Sequence, residues 1–302
     1  MDDLKGKVAF ITGGGSGAGL GQAKVFARAG CKVAIADVRD DHLKAAAAEL
    51  RQLGATFHAV RLDVTDRTGF ERAAQETEAV LGPVQLLFNT AGVGAFGPLE
   101  RATFDDYDWI MGVNFGGVVN GMQTFVPRMI AYGQGGHIVN TASMAAFHAG
   151  SLGGIYSASK FAVHGITLGM RDALAKYGIG VSLLCPANIN SNIAESIKTR
   201  PAHLSSTGLL VDEVEIEAQR ELYSQGMDPE ELAGHVLAAI GRNDCYILPY
   251  PEARFSLEAA FRRVMEALPP EDADPEGVAK RRQAMQRYRE ARRPLGEARS
   301  AG

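Results

Sequence analysis

The chain has 302 residues, 46% of them hydrophobic and 22% charged, with a formal net charge of −4 at pH 7. This length is ample for a buried core, and the nearly balanced charge argues against general nucleic-acid binding. The three cysteines, Cys31, Cys185 and Cys245, lie far apart, which excludes a disulfide framework or a cysteine metal cluster and favours a reducing compartment.

Short apolar strands alternate with helical segments along most of the chain. Strands are predicted at 7–12, 32–36, 56–62, 86–88, 138–139, 181–184 and 246–248, and the first three helices at 18–30, 40–53 and 66–81. This alternation is typical of an α/β fold in which a doubly wound parallel sheet has helices on both faces. We assign residues 1–268 to one such domain.

Two segments fall outside the alternation. Residues 190–226 are polar, contain Pro201 and follow the strand at 181–184. Because ligands of such sheets bind beyond the carboxyl ends of the strands, we expect this segment to cover a substrate. Residues 269–302 are rich in charged side chains, and we expect a C-terminal extension with a helix over 276–293.

Glycine is unevenly distributed, since 28 of the 35 glycines lie in residues 1–180. The densest group stands between the first strand and the first helix. Glycines allow a sharp turn there, and the start of the helix offers free N–H groups and a positive dipole end to an anion. We therefore predict a pyrophosphate site at Gly13, Ser16, Gly17, Ala18 and Gly19.

Acidic residues end the second and third strands. A carboxylate at Asp37 could accept hydrogen bonds from both ribose hydroxyls of adenosine and would repel a 2′-phosphate. This predicts NAD rather than NADP as the cofactor. Arg39 is the neighbouring cation that could act in the opposite direction. Asp63 and Val64 are predicted to contact the adenine. The alternative for Asp37 is an exposed side chain that caps the next helix.

The stretch Tyr156-Ser-Ala-Ser-Lys160 places a phenol and an ammonium on one face of a helix. The ammonium could lower the pKa of the phenol toward the working pH and make it a general base. This spacing alone is common, but its context is informative. Ser143 follows the strand at 138–139, where its hydroxyl could bind a substrate oxygen, and Asn114 lies in the stretch Val113-Asn-Phe-Gly-Gly117.

The combination of these motifs resembles the short-chain dehydrogenase/reductase family over about residues 5–250. The matching positions, in order and at the family's spacing, are Thr12 to Gly19, Asp37, Asn89 to Gly92, Asn114, Ser143, Tyr156 and Lys160. The resemblance implies a Rossmann-type fold, NAD as cofactor and an alcohol dehydrogenase activity.

The resemblance also implies a role for each residue. Tyr156 would be the acid/base, Ser143 would bind the substrate oxygen, and Asn114 would belong to a water-linked proton relay. Lys160 would hold the nicotinamide ribose and lower the tyrosine pKa. Further cofactor contacts would come from Asn89, Ala91, Gly92, Pro186, Ile189 and Ser191. The chain departs from the family at Ala187, where glycine is usual, and at Ser191, where threonine is usual.

A closer resemblance concerns the substrate. Stretches such as Phe96-Gly-Pro-Leu-Glu, Pro186-Ala-Asn-Ile and Ile247-Leu-Pro-Tyr-Pro-Glu look like the bacterial NAD-dependent Cα-dehydrogenases of lignin β-aryl ether degradation. This implies oxidation of the benzylic (Cα) secondary alcohol of dimers such as guaiacylglycerol-β-guaiacyl ether to the ketone, and favours the R configuration. A two-ring substrate needs an apolar pocket with few polar anchors. We predict its lining as Phe96, Ser143, Phe147, Tyr156 and Asn188.

Two alternatives stay open. The chain could act on another bulky alcohol or ketone, such as a steroid, a polyol or an oxoacyl thioester. It could also bind a dinucleotide without catalysis, although Ser143, Tyr156 and Lys160 are all present, which argues against that reading.

The expected partner is a small aromatic alcohol. The family resemblance implies a homo-oligomer, a dimer or a tetramer, built on helices near 105–131 and 154–177. The charged start of the chain is unlike a signal peptide, and no apolar run approaches the roughly 18 residues that cross a bilayer. We therefore expect a cytoplasmic protein that uses no metal and binds neither a membrane nor nucleic acid.

Overall fold

Seven parallel strands form one sheet. The computed structural model describes residues 4–210 and 212–298, and its contacts divide the chain into two units, Met1–Arg254 and Phe255–Gly302. The strands, all in the first unit, are β1 (Val8–Thr12), β2 (Lys32–Asp37), β3 (Phe57–Arg61), β4 (Val84–Asn89), β5 (Gly136–Thr141), β6 (Ile179–Leu184) and β7 (Tyr246–Ile247). Their order is β3-β2-β1-β4-β5-β6-β7, with every neighbouring pair parallel. Since the strand order reverses direction at β1, the sheet is doubly wound, as the sequence predicts.

Helices connect the strands. Those of the first unit are α1 (Gly17–Arg28), α2 (Asp40–Gln52), α3 (Arg67–Leu81), α4 (Phe104–Met111), α5 (Gly117–Tyr132), α6 (Gly154–Leu174), α7 (Glu213–Ser224) and α8 (Pro229–Arg242). Helix α9 (Arg254–Glu266) begins at the boundary, and α10 (Pro275–Ala298) lies in the second unit. The division into 1–268 and 269–302 stays a prediction. Within the described ranges, no helix is long and apolar enough to cross a membrane.

Each face of the sheet carries its own apolar core, because successive side chains of a strand point to opposite faces. Ile11 faces a cluster with residues of α1, α2 and α8, including Phe26, whose ring centroid lies 4.7 Å from that of Phe88. Phe10 faces a second cluster with residues of α3, α5 and α6, and its ring lies 4.6 Å from that of Phe125. Burial on both faces explains the continuous apolar run of β1.

Two central strands are longer than the sequence predicts. Strands β4 and β5 extend beyond 86–88 and 138–139 because polar side chains within them are buried with internal partners. The side chain of Gln85 accepts the Val8 N–H at 2.8 Å, and the His137 ring bonds the Ser182 hydroxyl at 2.8 Å. These hydrogen bonds offset the cost of burying polar side chains, which the sequence pattern places in loops.

Candidate active site

A cavity of about 970 Å³ lies at the carboxyl ends of the parallel strands. This is where the ligand of a doubly wound sheet is expected. Most residues singled out in the sequence line it: Gly13, Ser16, Gly17, Ala18, Gly19, Asp37, Asp63, Val64, Ala91, Gly92, Phe96, Ser143, Tyr156, Lys160, Pro186, Ile189 and Ser191. The fold thus gathers positions from 13 to 191 around a single space.

The glycine turn between β1 and α1 forms one end of the cavity. Gly13 and Gly17 adopt φ angles of 67° and 48°, in the left-handed region that favours glycine. A Cβ at Gly19 would lie 2.1 Å from the carbonyl oxygen of Gly13, so a side chain there would force the turn apart. The side chain of Ser16 makes no capping hydrogen bond to α1 in the described structure. The first N–H groups of α1 are therefore suited to an anion such as a pyrophosphate.

The Asp37 carboxylate is fixed beside this turn. Its Oδ2 accepts the Gly15 N–H at 3.1 Å and its Oδ1 accepts the Arg39 N–H at 3.0 Å. A carboxylate oxygen can accept a second hydrogen bond, so both oxygens retain capacity for ligand hydroxyls. At the end of β3, Asp63 accepts hydrogen bonds from the N–H and the hydroxyl of Thr65 at 2.9 and 2.8 Å. The arrangement fits the adenosine end of a dinucleotide.

Tyr156 and Lys160 lie one turn apart on α6 and both face the cavity. The Lys160 Nζ is 5.4 Å from the centroid of the Tyr156 ring and donates a hydrogen bond to the Thr141 carbonyl at 3.2 Å. The Tyr156 ring also packs against Phe96 with 5.5 Å between centroids. Strand β5 therefore positions the lysine, and the loop after β4 positions the tyrosine.

The cavity shifts the pKa values of both groups. Desolvation raises the pKa of Tyr156 above its usual value, and an interaction with the Ser143 hydroxyl offsets part of this increase. Desolvation also lowers the pKa of Lys160 to about 8, against a small opposing effect of Cys185. The Tyr156 ring is accessible from the cavity but surrounded by protein, which explains the large effect of desolvation. The pKa of Tyr156 is therefore raised, whereas the sequence leads us to expect that Lys160 lowers it.

Ser143 lies two residues after the end of β5, within reach of the Tyr156 phenol. Its hydroxyl accepts the Ala145 N–H at 3.1 Å and donates to the Pro186 carbonyl at 3.3 Å. These bonds hold the side chain at the cavity wall, where it interacts with the phenol. A substrate oxygen between Ser143 and Tyr156 would meet two hydroxyl groups.

Asn114 lies behind the cavity wall, in a π-helical turn (Gly112–Gly116) between α4 and α5. Its Oδ1 accepts the Val93 N–H at 2.8 Å, and its Nδ2 donates to the Val93 carbonyl at 3.0 Å and to the Ser159 hydroxyl at 3.1 Å. A Cβ built at Gly92 would lie 3.3 Å from the Asn114 Oδ1 and 3.4 Å from the Lys160 Nζ. The glycine therefore keeps open a space next to both atoms.

Three other predicted residues lie elsewhere. Asn89 is buried in the sheet, where its Nδ2 donates to Asn140 at 2.8 Å. Phe147 packs against His164 with 4.9 Å between ring centroids. The Asn188 Nδ2 donates to the Leu222 carbonyl at 2.8 Å, which attaches the loop after β6 to α7.

The backbone of Ile189 is oriented by its neighbours. Asn188 and Asn190 exchange backbone hydrogen bonds with Met227, at 3.0 and 3.1 Å, in a parallel bridge. In this pattern the N–H and C=O groups of Ile189 point away from Met227. They are suited to an amide ligand in the cavity that Ile189 lines.

The sequence does not reveal much of the substrate-side wall. Tyr223 comes from α7, in a segment with weak helical pattern, and Trp109 reads as an ordinary core residue of α4. Other lining residues lie in segments without regular secondary structure, and only long-range contacts position these segments. The lining residues that the sequence analysis does not single out include Val93, Trp109, His148, Leu152, Ile193, Glu195, Thr199, His203, Leu204 and Tyr223.

Segment 190–226 contributes many of these residues because it is attached to the loop after β4. The Gly94 N–H donates to the Ser196 hydroxyl at 3.0 Å, and the Leu210 N–H donates to the Phe96 carbonyl at 2.8 Å. A Cβ at Gly97 would lie 2.8 Å from the Leu209 Cα, so glycine permits this close approach.

Comparison with known proteins is consistent with this site. A family model described as short chain dehydrogenase matches residues 7–202. The chain is 49% identical over 286 residues to the C alpha-dehydrogenase of Sphingobium sp. strain SYK-6, in an alignment that covers 94% of each protein.

Solved structures of related dehydrogenases are also similar to this chain. The apo form of LigO from Sphingobium sp. strain SYK-6 has 44% sequence identity and a TM-score of 0.79, covering 96% of this chain and 98% of that one. A short chain dehydrogenase/reductase from Burkholderia phymatum, in complex with NAD, has 34% identity and a TM-score of 0.84, covering 90% of this chain and 99% of that one. Together with the family model, which matches more than half of the sequence, these similarities show that the chain belongs to the short-chain dehydrogenase/reductase family.

Proposed function

We propose that this protein is an NAD-dependent dehydrogenase. It oxidises the benzylic (Cα) secondary alcohol of lignin-derived β-aryl ether dimers, such as guaiacylglycerol-β-guaiacyl ether, to the ketone. The observation that carries the reaction type is the position of Ser143, Tyr156 and Lys160 in the same cavity as the glycine turn. The 49% identity to a C alpha-dehydrogenase over nearly the whole chain supports the substrate class.

Four residues perform the chemistry. Ser143 and Tyr156 bind the alcohol oxygen between their hydroxyl groups. Tyr156, as the phenolate, accepts the alcohol proton while the carbon–hydrogen bond at the benzylic carbon breaks and the carbonyl forms. Lys160 stabilises the phenolate, and Asn114, which borders the space beside Gly92 together with the Lys160 amine, holds a water that carries the proton toward solvent. The shared cavity supports these roles, and Lys160 has to offset the desolvation that raises the pKa of Tyr156.

The cofactor site has features for both ends of NAD. The N–H groups at the start of α1 bind the pyrophosphate, Asp37 binds the adenosine ribose, and Asp63 and Val64 border the adenine. The Ile189 backbone binds the carboxamide at the nicotinamide end. When bound, NAD supplies the acceptor for the hydride that leaves the benzylic carbon.

The size of the cavity suits a two-ring substrate. Its volume is about 970 Å³, and its substrate side has apolar walls from Val93, Phe96, Trp109 and Leu204. Polar side chains also line the cavity, among them His148, His203 and Tyr223, and could bind the polar substituents of such a substrate.

Turnover of separated R and S β-aryl ether dimers with NAD tests the proposal. We expect NADH and the corresponding ketone from at least one configuration, with the R form preferred, and much slower turnover of steroid, polyol and oxoacyl substrates. NADH formation is followed by absorbance and the ketone by chromatography. No product from either configuration, in a protein that binds NAD, would overturn the substrate assignment.

We also propose that the protein forms a dimer or tetramer. Large apolar side chains on and next to α4 and α6 are exposed, among them Phe104 (88%), Leu152 (48%) and Phe161 (46%). Exposed apolar groups on neighbouring helices favour a protein partner. Light scattering on the purified protein measures the mass. A monomer at micromolar concentration would contradict this proposal, and a Phe161→Glu variant is expected to weaken the assembly.

A further inference from the structure

Arg39 occupies a position where an arginine can change cofactor choice. It follows Asp37 by two residues, lines the same cavity, and donates its backbone N–H to the Asp37 carboxylate at 3.0 Å. A guanidinium is well suited to binding a phosphate in a forked geometry. If free, Arg39 would attract the 2′-phosphate that Asp37 repels, and the two residues would favour different cofactors.

The Arg39 guanidinium is held between two carboxylates. Its Nε donates to the Asp41 Oδ1 at 3.0 Å, and its Nη2 pairs with the second oxygen of Asp41. Its Nη1 lies 3.4 Å from the Glu195 Oε2. The Arg39 and Glu195 side chains are 24% and 22% exposed, so solvent screens this pair only in part.

Glu195 is itself fixed in place and ionised. It lies on the short helix Asn192–Thr199 of segment 190–226 and pairs with Lys198 at 2.9 Å and with Arg220 of α7 at 3.2 Å. The hydrogen bond from Lys198, with further bonds from Arg220 and Arg39, holds the pKa of this carboxyl below its usual value. Segment 190–226 thereby presents a fixed negative charge to Arg39.

We propose that Glu195 is a specificity-determining residue which, together with Asp41, makes Arg39 unavailable to a 2′-phosphate and so reinforces the preference for NAD. This inference rests on the dinucleotide site of the proposed function. A 2′-phosphate near Arg39 has to compete with two carboxylates for the guanidinium. Asp37 acts directly on the ribose, whereas Glu195 acts through Arg39.

A set of variants in an Asp37→Ser background tests the inference, because the loss of Asp37 brings NADP affinity into a measurable range. Dissociation constants for NAD and NADP are measured by calorimetry without substrate. Adding Glu195→Gln should lower the ratio of the NADP constant to the NAD constant about fivefold, the scale of one partly exposed charge pair. Asp41→Asn, at the other side of the guanidinium, should change the ratio in the same direction.

Two controls separate this effect from a change in net charge. Glu217→Gln removes the same charge from α7, where Glu217 pairs with Arg220 rather than Arg39, and should leave the ratio within about twofold. In an Arg39→Met background, Glu195→Gln should no longer change the ratio. Equal effects of Glu195→Gln and Glu217→Gln, or an effect that persists without Arg39, would overturn the inference alone. A wild-type protein that binds no NAD would overturn the proposed function together with it.

Discussion

Asp106 and Arg200 form a buried ion pair that attaches segment 190–226 to the start of α4. The Oδ1–Nη1 distance is 2.7 Å, and the side chains are 0% and 5% exposed. Asp106 also accepts hydrogen bonds from the Thr103 N–H, the Thr207 hydroxyl and the Gly208 N–H, at 2.9, 2.7 and 3.1 Å. Burial alone would raise the pKa of Asp106, but these bonds and Arg200 hold it below its usual value. The pair positions the part of the cavity wall that includes Pro201 and Leu204.

Removing one partner of this pair should cost stability and substrate affinity. Asp106→Asn leaves the Arg200 charge buried without its counter-ion, so we expect the unfolding free energy to fall by about 3 kcal/mol. The KM for a two-ring substrate should rise more than kcat falls, because the wall moves while the reacting groups stay. Urea denaturation and steady-state kinetics measure the two effects.

An exposed pair provides the control. Asp244→Asn breaks the pair between Arg242 and Asp244, whose side chains are 64% and 35% exposed, and should cost less than about 1 kcal/mol. Equal losses of unfolding free energy in the two variants would show that burial does not make the Asp106–Arg200 pair more important for stability.

Tyr156→Phe should abolish oxidation and leave cofactor binding almost intact. The change removes the phenol oxygen that we propose as the proton acceptor but keeps the ring that packs against Phe96. We expect kcat to fall by about 10³-fold or more, and the dissociation constant for NAD to change by less than about threefold. Stopped assays and calorimetry check this, and near-wild-type turnover would show that another group is the base.

Gly19→Ala should weaken NAD binding. Its new Cβ would lie 2.1 Å from the Gly13 carbonyl oxygen, so the glycine turn has to shift away from the pyrophosphate. We expect at least about a tenfold loss of NAD affinity. Gly234→Ala on the exposed side of α8 is the matched control, because its Cβ would have nothing within 4 Å. An equal loss in both variants would contradict the steric argument.

The wild-type enzyme should prefer NAD strongly. In NAD, a ribose hydroxyl can donate a hydrogen bond to Asp37. In NADP, a phosphate that Asp37 repels takes its place, so we expect kcat/KM with NAD to exceed that with NADP by about 100-fold or more. Asp37→Ser should narrow the difference. Comparable kcat/KM values for the two cofactors in the wild-type protein would refute the role of Asp37.

His137 should make the fold sensitive to mild acid. Burial lowers the pKa of this side chain to about 4, with a smaller contribution from the charge of Arg171. The unfolded chain therefore binds a proton below about pH 6.5, whereas the folded protein does so only near pH 4. The stability contributed by the neutral ring is complete above about pH 6.5 and is lost as the pH falls toward 4.

Urea denaturation at pH 7.5 and pH 5.0 measures this effect. The histidine contribution to the unfolding free energy should fall by about 2 kcal/mol between the two conditions. His137→Gln should lose this part of the pH dependence, whereas His235→Gln, on the exposed side of α8, should retain it. Identical pH dependence in the two variants would contradict the assignment.

Much of the site follows from local sequence. The glycine turn, Asp37 and the helix that carries Tyr156 and Lys160 depend on interactions within a few residues, because glycine conformation and helical spacing are local properties. The parallel sheet follows from the alternation of apolar strands and helices, and its topology brings the carboxyl ends of the strands together. The sequence by itself therefore determined the fold class, the glycine turn and the spacing of the candidate reacting groups.

The tertiary structure decided what surrounds these groups. Long-range contacts surround the site in segments without clear periodicity. They include the Asp106–Arg200 pair, the contact between Arg39 and Glu195, and the position of Tyr223 on α7. Burial also set the pKa directions of Tyr156 and Lys160, since desolvation depends on the whole enclosure rather than on the spacing of the two residues. Local pattern carries no information about these long-range contacts, which form the substrate wall and hold Arg39 between two carboxylates.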